Sequence, residues 1–398
     1  MTIRGLKMAA ITVFFIFLLL CFTPIGENDH SVTRNVSFPA LSDPSPLNYS
    51  TSPVNISVGS DPFGMSVDTK NGNVYVSNTN SSNVSVISVN NVVVNTIPVL
   101  GNPYGTQIPS QIIYDSYNSC VYVMNYFSPN LTVINTTTQS LSYIGAPHRV
   151  VSMAYDSRNN DVYVFDAYVG PSVEGISVIS PSNRIIENLT VPRYGGLIPD
   201  AISPVYNPND NSFFFLASSE FENVVADFNL NSMNISIVNN TKQYDNYLSI
   251  VFDPFNNCIY VTNLDSNITV INSSTNTVTQ YSIAGLLPGI AYDSTLHDIV
   301  VQGYSNESTA IFYFLDARNS LTFTVYTYFN NFYDVFAYNP VDNSLYASVD
   351  YGNQVTVFPL SPPSVDSNAG MFLVYGVISV AVATASVLTL VWWKKSRT

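Results

Sequence analysis

The sequence predicts an all-β, seven-bladed β-propeller closed by an N-terminal strand, with a signal or anchor segment before it and a C-terminal transmembrane helix after it. Three observations predict the ring. An aromatic residue or valine followed by Asp or Asn recurs at Val67-Asp68, Tyr114-Asp115, Tyr155-Asp156, Tyr206-Asn207, Phe252-Asp253, Tyr292-Asp293 and Tyr338-Asn339, in steps of 47, 41, 51, 46, 40 and 46 residues. A period of roughly 40–50 residues filled with short strands is how propeller blades repeat. The stretch from Cys258 to Val278 nearly copies that from Cys120 to Leu141, and no helical periodicity interrupts the span from Asn55 to Phe358.

Each repeat keeps one internal order. A short apolar strand, such as "SIVF" (Ser249 to Phe252), leads into a turn with Asp first and Asn three residues on: Asp68 with Asn71, Asp115 with Asn118, Asp156 with Asn159, Asp253 with Asn256. Side chains of this type close turns by bonding to nearby backbone N–H groups. A β-branched second strand follows ("VYVSN", "VYVMN", "VYVFD", "IYVTN"), then a third that alternates apolar and polar ("VSVI", "LTVI", "ISVI", "ITVI", "VTVF"), then a weaker fourth. Alternation predicts half-buried strands. The seventh repeat ends after Phe358 without a fourth strand, while Val54 to Val58 has that pattern and precedes the first repeat. Val54 to Val58 is therefore expected to complete blade seven, so that no open sheet edge remains where the ring closes.

These phrases resemble the YVTN-type β-propeller repeats of archaeal and bacterial cell-surface, surface-layer-associated proteins. The resemblance covers about three quarters of the chain and is strongest in blades one, two, three and five. Blades four ("FFFLAS") and six ("IVVQG") are apolar but lack the Tyr-Val phrase. The resemblance implies a place at the cell surface. Its motif is a folding motif, so it carries over no catalytic residues.

The ends point the same way. Arg4 and Lys7 precede an apolar run from Met8 to Phe22, the layout of an export signal, either cleaved or kept as an anchor (1–26). A linker (27–53) leads to the ring (54–358), and a Pro/Ser stalk (359–370) leaves it. Met371 to Trp393 is uncharged and long enough to span a bilayer, and Lys394, Lys395 and Arg397 follow in a short tail (394–398). The positive-inside rule puts that tail in the cytoplasm and the ring outside.

Only 10% of residues are charged. All 27 acids fall between Glu27 and Asp366, where Lys and Arg number eight, so this part carries 8 − 27 = −19. Such a balance argues against nucleic acid or anionic lipid as partners. It also suits an acidic medium, in which protonation relieves self-repulsion.

No metal or cofactor is expected. His30, His148 and His297 share no ligand spacing, and one carboxylate per turn falls short of the six to eight oxygens calcium takes. Cys120 and Cys258 occupy the same slot in blades two and five, too far apart for a disulfide, and are expected as buried free thiols. The loops between blades hold a candidate ligand face: Tyr104, His148, Arg149, Arg193, Tyr194, Tyr244, Tyr247, Phe332 and Tyr333. Loops between second and third strands ring it with acids: Asp166, Glu174, Glu220, Glu222, Asp265, Glu307 and Asp350. Aromatics with arginines suit a saccharide or peptide. Thirteen Asn-x-Ser/Thr sequons stand at Asn35, Asn48, Asn55, Asn80, Asn83, Asn130, Asn135, Asn188, Asn234, Asn239, Asn267, Asn272 and Asn306, none in a first or second strand. The expected role is a membrane-anchored binding, adhesion or envelope-structural module with a glycan, peptide or envelope-protein partner. An extracytoplasmic lyase or hydrolase with its site at the axial funnel is the alternative.

Overall fold

The computed structural model describes residues 36–37 and 53–360, apart from 100–107, 127, 148–149, 171–172, 193–197, 200–203, 219–222, 241–246, 264–266, 283–285, 306–308, 317–321, 330–334 and 349–351. Seven antiparallel sheets form the ring. The first strands of consecutive blades pack side by side around the axis, and the first strand of blade seven, Phe336–Asn339, packs on that of blade one, Pro62–Val67. The ring is closed. Val54–Ser57 pairs antiparallel with the third strand of blade seven, Gln354–Pro359, placing Ile56 opposite Val355. The expected seal is present. Among the described residues the lone helical turn is Thr79–Ser81.

The core is divided into seven apolar clusters, one in each seam between neighbouring blades. This explains the second strands. Val74–Asn78 is buried at all five positions because a neighbouring blade covers each side of it. Tyr75 faces blade two, among Ile112, Val121 and Val123, while Val74 and Val76 face blade seven with Tyr346 and Val355.

The third strands depart from expectation. Their polar alternates are buried, not solvated: Ser85, Thr132, Ser177, Thr269 and Thr356 all lie inside a seam. Each finds a polar partner on an adjacent strand. Ser85 Oγ accepts from Asn78 Nδ2 (2.9 Å), Thr132 Oγ1 from Asn125 Nδ2 (3.1 Å), and Thr356 Oγ1 donates to Asn55 Oδ1 (2.8 Å). The fourth strands are the half-exposed ones, as in Val93–Pro98.

Blades four and six, weak in sequence, complete the ring with third strands Asn223–Asn229 and Thr309–Asp316. Aromatic bulk replaces the Tyr-Val phrase in blade four, where Phe213 meets Tyr163 of blade three at 4.8 Å between ring centroids. The first strand of blade four is split into Ile198–Pro199 and Val205–Asn207, both paired with Ser212–Ser218. Within the stretch expected to be a connector, Val36–Ser37 adds in parallel to the outer edge of blade five, opposite Tyr281 and Ser282. One glycine is set by the close approach of two first strands. A Cβ on Gly64 would stand 2.2 Å from the Ser110 carbonyl oxygen of blade two.

Candidate functional site

Strand order gives the ring two faces. First-to-second and third-to-fourth turns emerge on one side, the turn face; second-to-third loops and blade connections emerge on the other, the loop face.

On the turn face all seven first-to-second turns are built alike. The opening Asp or Asn accepts, through Oδ1, the N–H two residues on: Lys70 on Asp68 (3.0 Å), Tyr117 on Asp115 (2.8 Å), Arg158 on Asp156 (2.8 Å) and Asn209 on Asn207 (2.9 Å). Phe255 on Asp253 (2.8 Å), Thr295 on Asp293 (2.8 Å) and Val341 on Asn339 (3.1 Å) complete the set. Four residues after each opener stands a positive-φ residue: Gly72, Ser119, Asn160, Asn211, Asn257, His297 or Asn343. Asn tolerates this left-handed backbone better than most residues, and Gly tolerates it at no steric cost.

These turns also link neighbouring blades. The phenols of Tyr114, Tyr155, Tyr206, Tyr292 and Tyr338 face the carboxylates of Asp68, Asp115, Asp156, Asp253 and Asp293 on the preceding blade. Tyr155, Tyr206 and Tyr338 donate within their own turns to Oδ1 of Asn160 (2.9 Å), Asn211 (2.9 Å) and Asn343 (2.8 Å). Two turns open with Asn instead, and they precede the two blades without a tyrosine there: Asn207 before Phe252, and Asn339 before Val67. Their amides donate elsewhere, Asn207 Nδ2 to Ser273 Oγ (2.7 Å) and Asn339 Nδ2 to the Gly72 carbonyl (2.9 Å). A carboxylate stands only where the next blade supplies a hydroxyl.

The pairing is testable by a double-mutant cycle. Tyr155→Phe is expected to cost roughly 1–2 kcal/mol, as removal of a buried hydrogen-bonding hydroxyl does. Adding Asp115→Asn recreates the Asn207–Phe252 combination, so the two costs should miss additivity by about 1 kcal/mol in urea unfolding. Strict additivity would mean that the phenol and the carboxylate do not interact.

On the loop face, Tyr104, His148, Arg149, Arg193, Tyr194, Tyr244, Phe332 and Tyr333 lie outside the described residues, as do Glu220, Glu222, Asp265, Glu307 and Asp350. Tyr247 opens the first strand of blade five, with Asn263 opposite. Glu174 lies within the third strand of blade three, Val173–Ser180. Asp166 is not a loop acid. It is buried in the second strand of that blade, and Ser177 Oγ lies 3.0 Å from its Oδ2. Burial pushes its carboxyl up to about 7, opposed in part by the Ser177 hydroxyl.

Asp166 belongs to a set of residues at one shared position in the second strands, on the loop-face side, that sequence reasoning missed. Asn78, Asn125 and Asn263 occupy the same place and brace the following loop: Asn78 Nδ2 donates to Asn83 Oδ1 (2.6 Å), Asn125 Nδ2 to the Asn130 carbonyl (3.0 Å), and Asn263 Oδ1 accepts from Asn267 N (2.9 Å). The signal was present as the last letter of "VYVSN", "VYVMN", "VYVFD" and "IYVTN".

Cys120 and Cys258 are buried free thiols. Burial, then the nearby Asp253 charge, raises the Cys258 thiol to about 11, which keeps it protonated and unreactive. His297 Nδ1 lies 2.7 Å from the Tyr292 hydroxyl, and its ring stacks on Phe255 at 4.6 Å. Among the described residues no three His, Cys, Asp or Glu side chains group as a metal site. Of the sequons, Asn55, Asn80, Asn188 and Asn234 are exposed, and Asn83 donates through Nδ2 to the Ser81 carbonyl (3.2 Å). Asn35, Asn48 and Asn306 lie outside the described residues.

No family model matches the sequence, and no curated protein matches it. Solved structures do resemble it. One is a chain of the hydrazine synthase of Kuenenia stuttgartiensis, with TM-score 0.60 and 15% identity over 76% of this chain and 96% of that one. Another is a chain of a mitotic checkpoint complex, with TM-score 0.60 and 12% identity over 83% of this chain and all of that one. At such identities the likeness establishes the propeller fold and nothing finer. Among the described residues no helix is long and apolar enough to cross a membrane, and residues 371–393 lie outside them.

Proposed function

We propose that the chain is a membrane-anchored, cell-surface binding module of the YVTN type, which presents its loop face to a peptide, glycan or envelope-protein partner. One observation carries this reading. The polar side chains that the repeat supplies are engaged in holding the ring together: the turn Asp and Asn residues cap their own turns, and the strand-end Asn residues brace their own loops. Recognition therefore falls to the residues that differ from blade to blade, and these concentrate in the blade connections. Arg149, Arg193, Tyr194 and Tyr333 are the side chains proposed to make the contact.

The test probes peptide and glycan arrays with the detergent-solubilised full chain. Arg149→Ala and Arg193→Ala together should lower binding to the best ligands by at least tenfold, the loss of about 1.4 kcal/mol or more. Undiminished binding by that variant would move the site elsewhere. Peptide mapping of the exported protein should find sugar on Asn55, Asn80, Asn188 and Asn234, whose side chains reach solvent. Sugar-free peptides at all four positions would remove glycosylation from the proposal.

A further inference from the structure

We infer that the turn face is a membrane-docking surface, which lies on the bilayer holding the chain's own C-terminal segment and leaves the loop face pointing away from it. The inference rests on reading residues 371–393 as a membrane segment. Three independent features of the ring converge on it.

The first is where the chain leaves. The third strand of blade seven runs toward the turn face, and Leu360 is held there against a first-to-second turn: Leu360 N donates to the Asn343 carbonyl and Asn343 Nδ2 to the Leu360 carbonyl, both at 2.8 Å. Only residues 361–370 separate this point from the apolar run, 370 − 360 = 10 residues. Fully extended, they reach about 35 Å. The turn face is thus tethered within reach of the bilayer, and a short tether makes even weak contacts effective.

The second is what that face exposes. Tyr117, Phe255 and Val341 are 65%, 55% and 49% exposed and occupy the same position of the first-to-second turn in blades two, five and seven. Val89 and Val92 add to them from the third-to-fourth turn of blade one. Of the ten large apolar side chains exposed among the described residues, Phe63 and Tyr143 alone lie away from this face or from the strand ends adjoining it. Tyrosine and isolated apolar side chains at one level form an interfacial surface.

The third is charge. Lys70, Arg158 and Arg184 are the three lysines and arginines among the described residues; all are exposed, and all stand on turns or strand starts of this face. The acids that open its turns, Asp68, Asp115, Asp156, Asp253 and Asp293, are buried. The same face also carries the half-buried Asp161, Asp210, Asp298 and Asp342 and the adjoining exposed Glu187, so its charge is mixed, and Lys70, Arg158 and Arg184 are the groups on it that can meet lipid phosphates.

The test reconstitutes the full chain, with Cys21→Ser, into vesicles of phosphatidylcholine and phosphatidylglycerol. A fluorophore is placed on single cysteines at Tyr117→Cys and Phe255→Cys on the turn face, and at Asn80→Cys on the loop face; Cys120 and Cys258 are buried. Brominated lipids should quench the first two several-fold more than the third. Equal, weak quenching at all three positions in protein that stays with the vesicles would overturn the docking and leave the anchor standing. Shielding of positions 117 and 255 from water without quenching by lipid would overturn it too, since protein would then cover the face. Release of the chain from vesicles without detergent would overturn the anchor and this inference together.

Discussion

Ile56→Asp is expected to lower the thermal midpoint on the order of 10 °C, whereas Val54→Asp two residues away should leave it nearly unchanged. Both residues lie in the strand that seals blade seven. Ile56 is buried among Val74, Val76, Tyr346, Val355 and Val357 in the closing seam, and Val54 is exposed. A carboxylate at position 56 loses the apolar burial and places a charge without a partner in that seam, a cost of roughly 3–5 kcal/mol. The loss extends beyond one side chain. The seam is held by the Val54–Ser57 ladder, by Val58 N donating to the Asn353 carbonyl (2.9 Å) and by Asp61 N donating to the Gly352 carbonyl (2.8 Å). Without it, Gln354–Pro359 becomes a free edge, and free edges pair with other chains. Circular dichroism melts of the two variants, with light scattering, provide the measurement. Equal midpoints would show that the N-terminal strand does not hold the ring closed.

The second large effect is acid stabilisation. Lowering the pH from 7.5 to 4 is expected to raise the melting temperature, the reverse of ordinary acid denaturation. Burial pushes the carboxyls of Asp166 and Asp227 up to about 7 and about 6, and those of Asp115, Asp161, Asp253 and Asp342 also above the usual range. Folding then favours the neutral acid. The stability contributed by these groups is fully present below the unfolded pKa of about 4 and is lost as pH rises through the folded value, between about 4 and 7. For Asp166 the difference is on the order of 4 kcal/mol.

Geometry points the same way. Ser177 Oγ lies 3.0 Å from both Asp166 Oδ2 and Asn188 Oδ1 but has one proton to give. An ionised Asp166 leaves one of those contacts unmade; a neutral one donates to Ser177, which then donates to Asn188. Tyr155 stands likewise between Asp115 and Asn160. Scanning calorimetry across this pH range checks the sign, and Asp166→Asn should flatten the profile by raising the midpoint at pH 7.5. A midpoint that falls steadily on acidification would refute the scheme.

Much of the fold was legible because it is locally encoded. Turn openers such as Asp115 bond two residues ahead, and the period between them marks each blade. The absent fourth strand of blade seven and the orphan strand at Val54 are also visible in one dimension. Blades four and six were harder to read, since Phe213 and Val300 meet the same burial with other side chains. The proposed ligand face was read from blade-connecting residues, which vary from repeat to repeat and have no internal copy to compare with.

By itself, then, the sequence determined the blade number, the turns and the strand that closes the ring, because these depend on neighbours in the chain or on a repeat visible within it. Tertiary structure alone decided that Ser85 and Thr132 are buried, that Asp115 faces Tyr155 of the next blade, and that, among the described residues, most exposed large apolar side chains and all three basic ones stand on or beside one face. The physical reason is that alternation separates two sides of a strand without saying whether water or another sheet covers them. In a ring that cover comes from a blade some forty to fifty residues away.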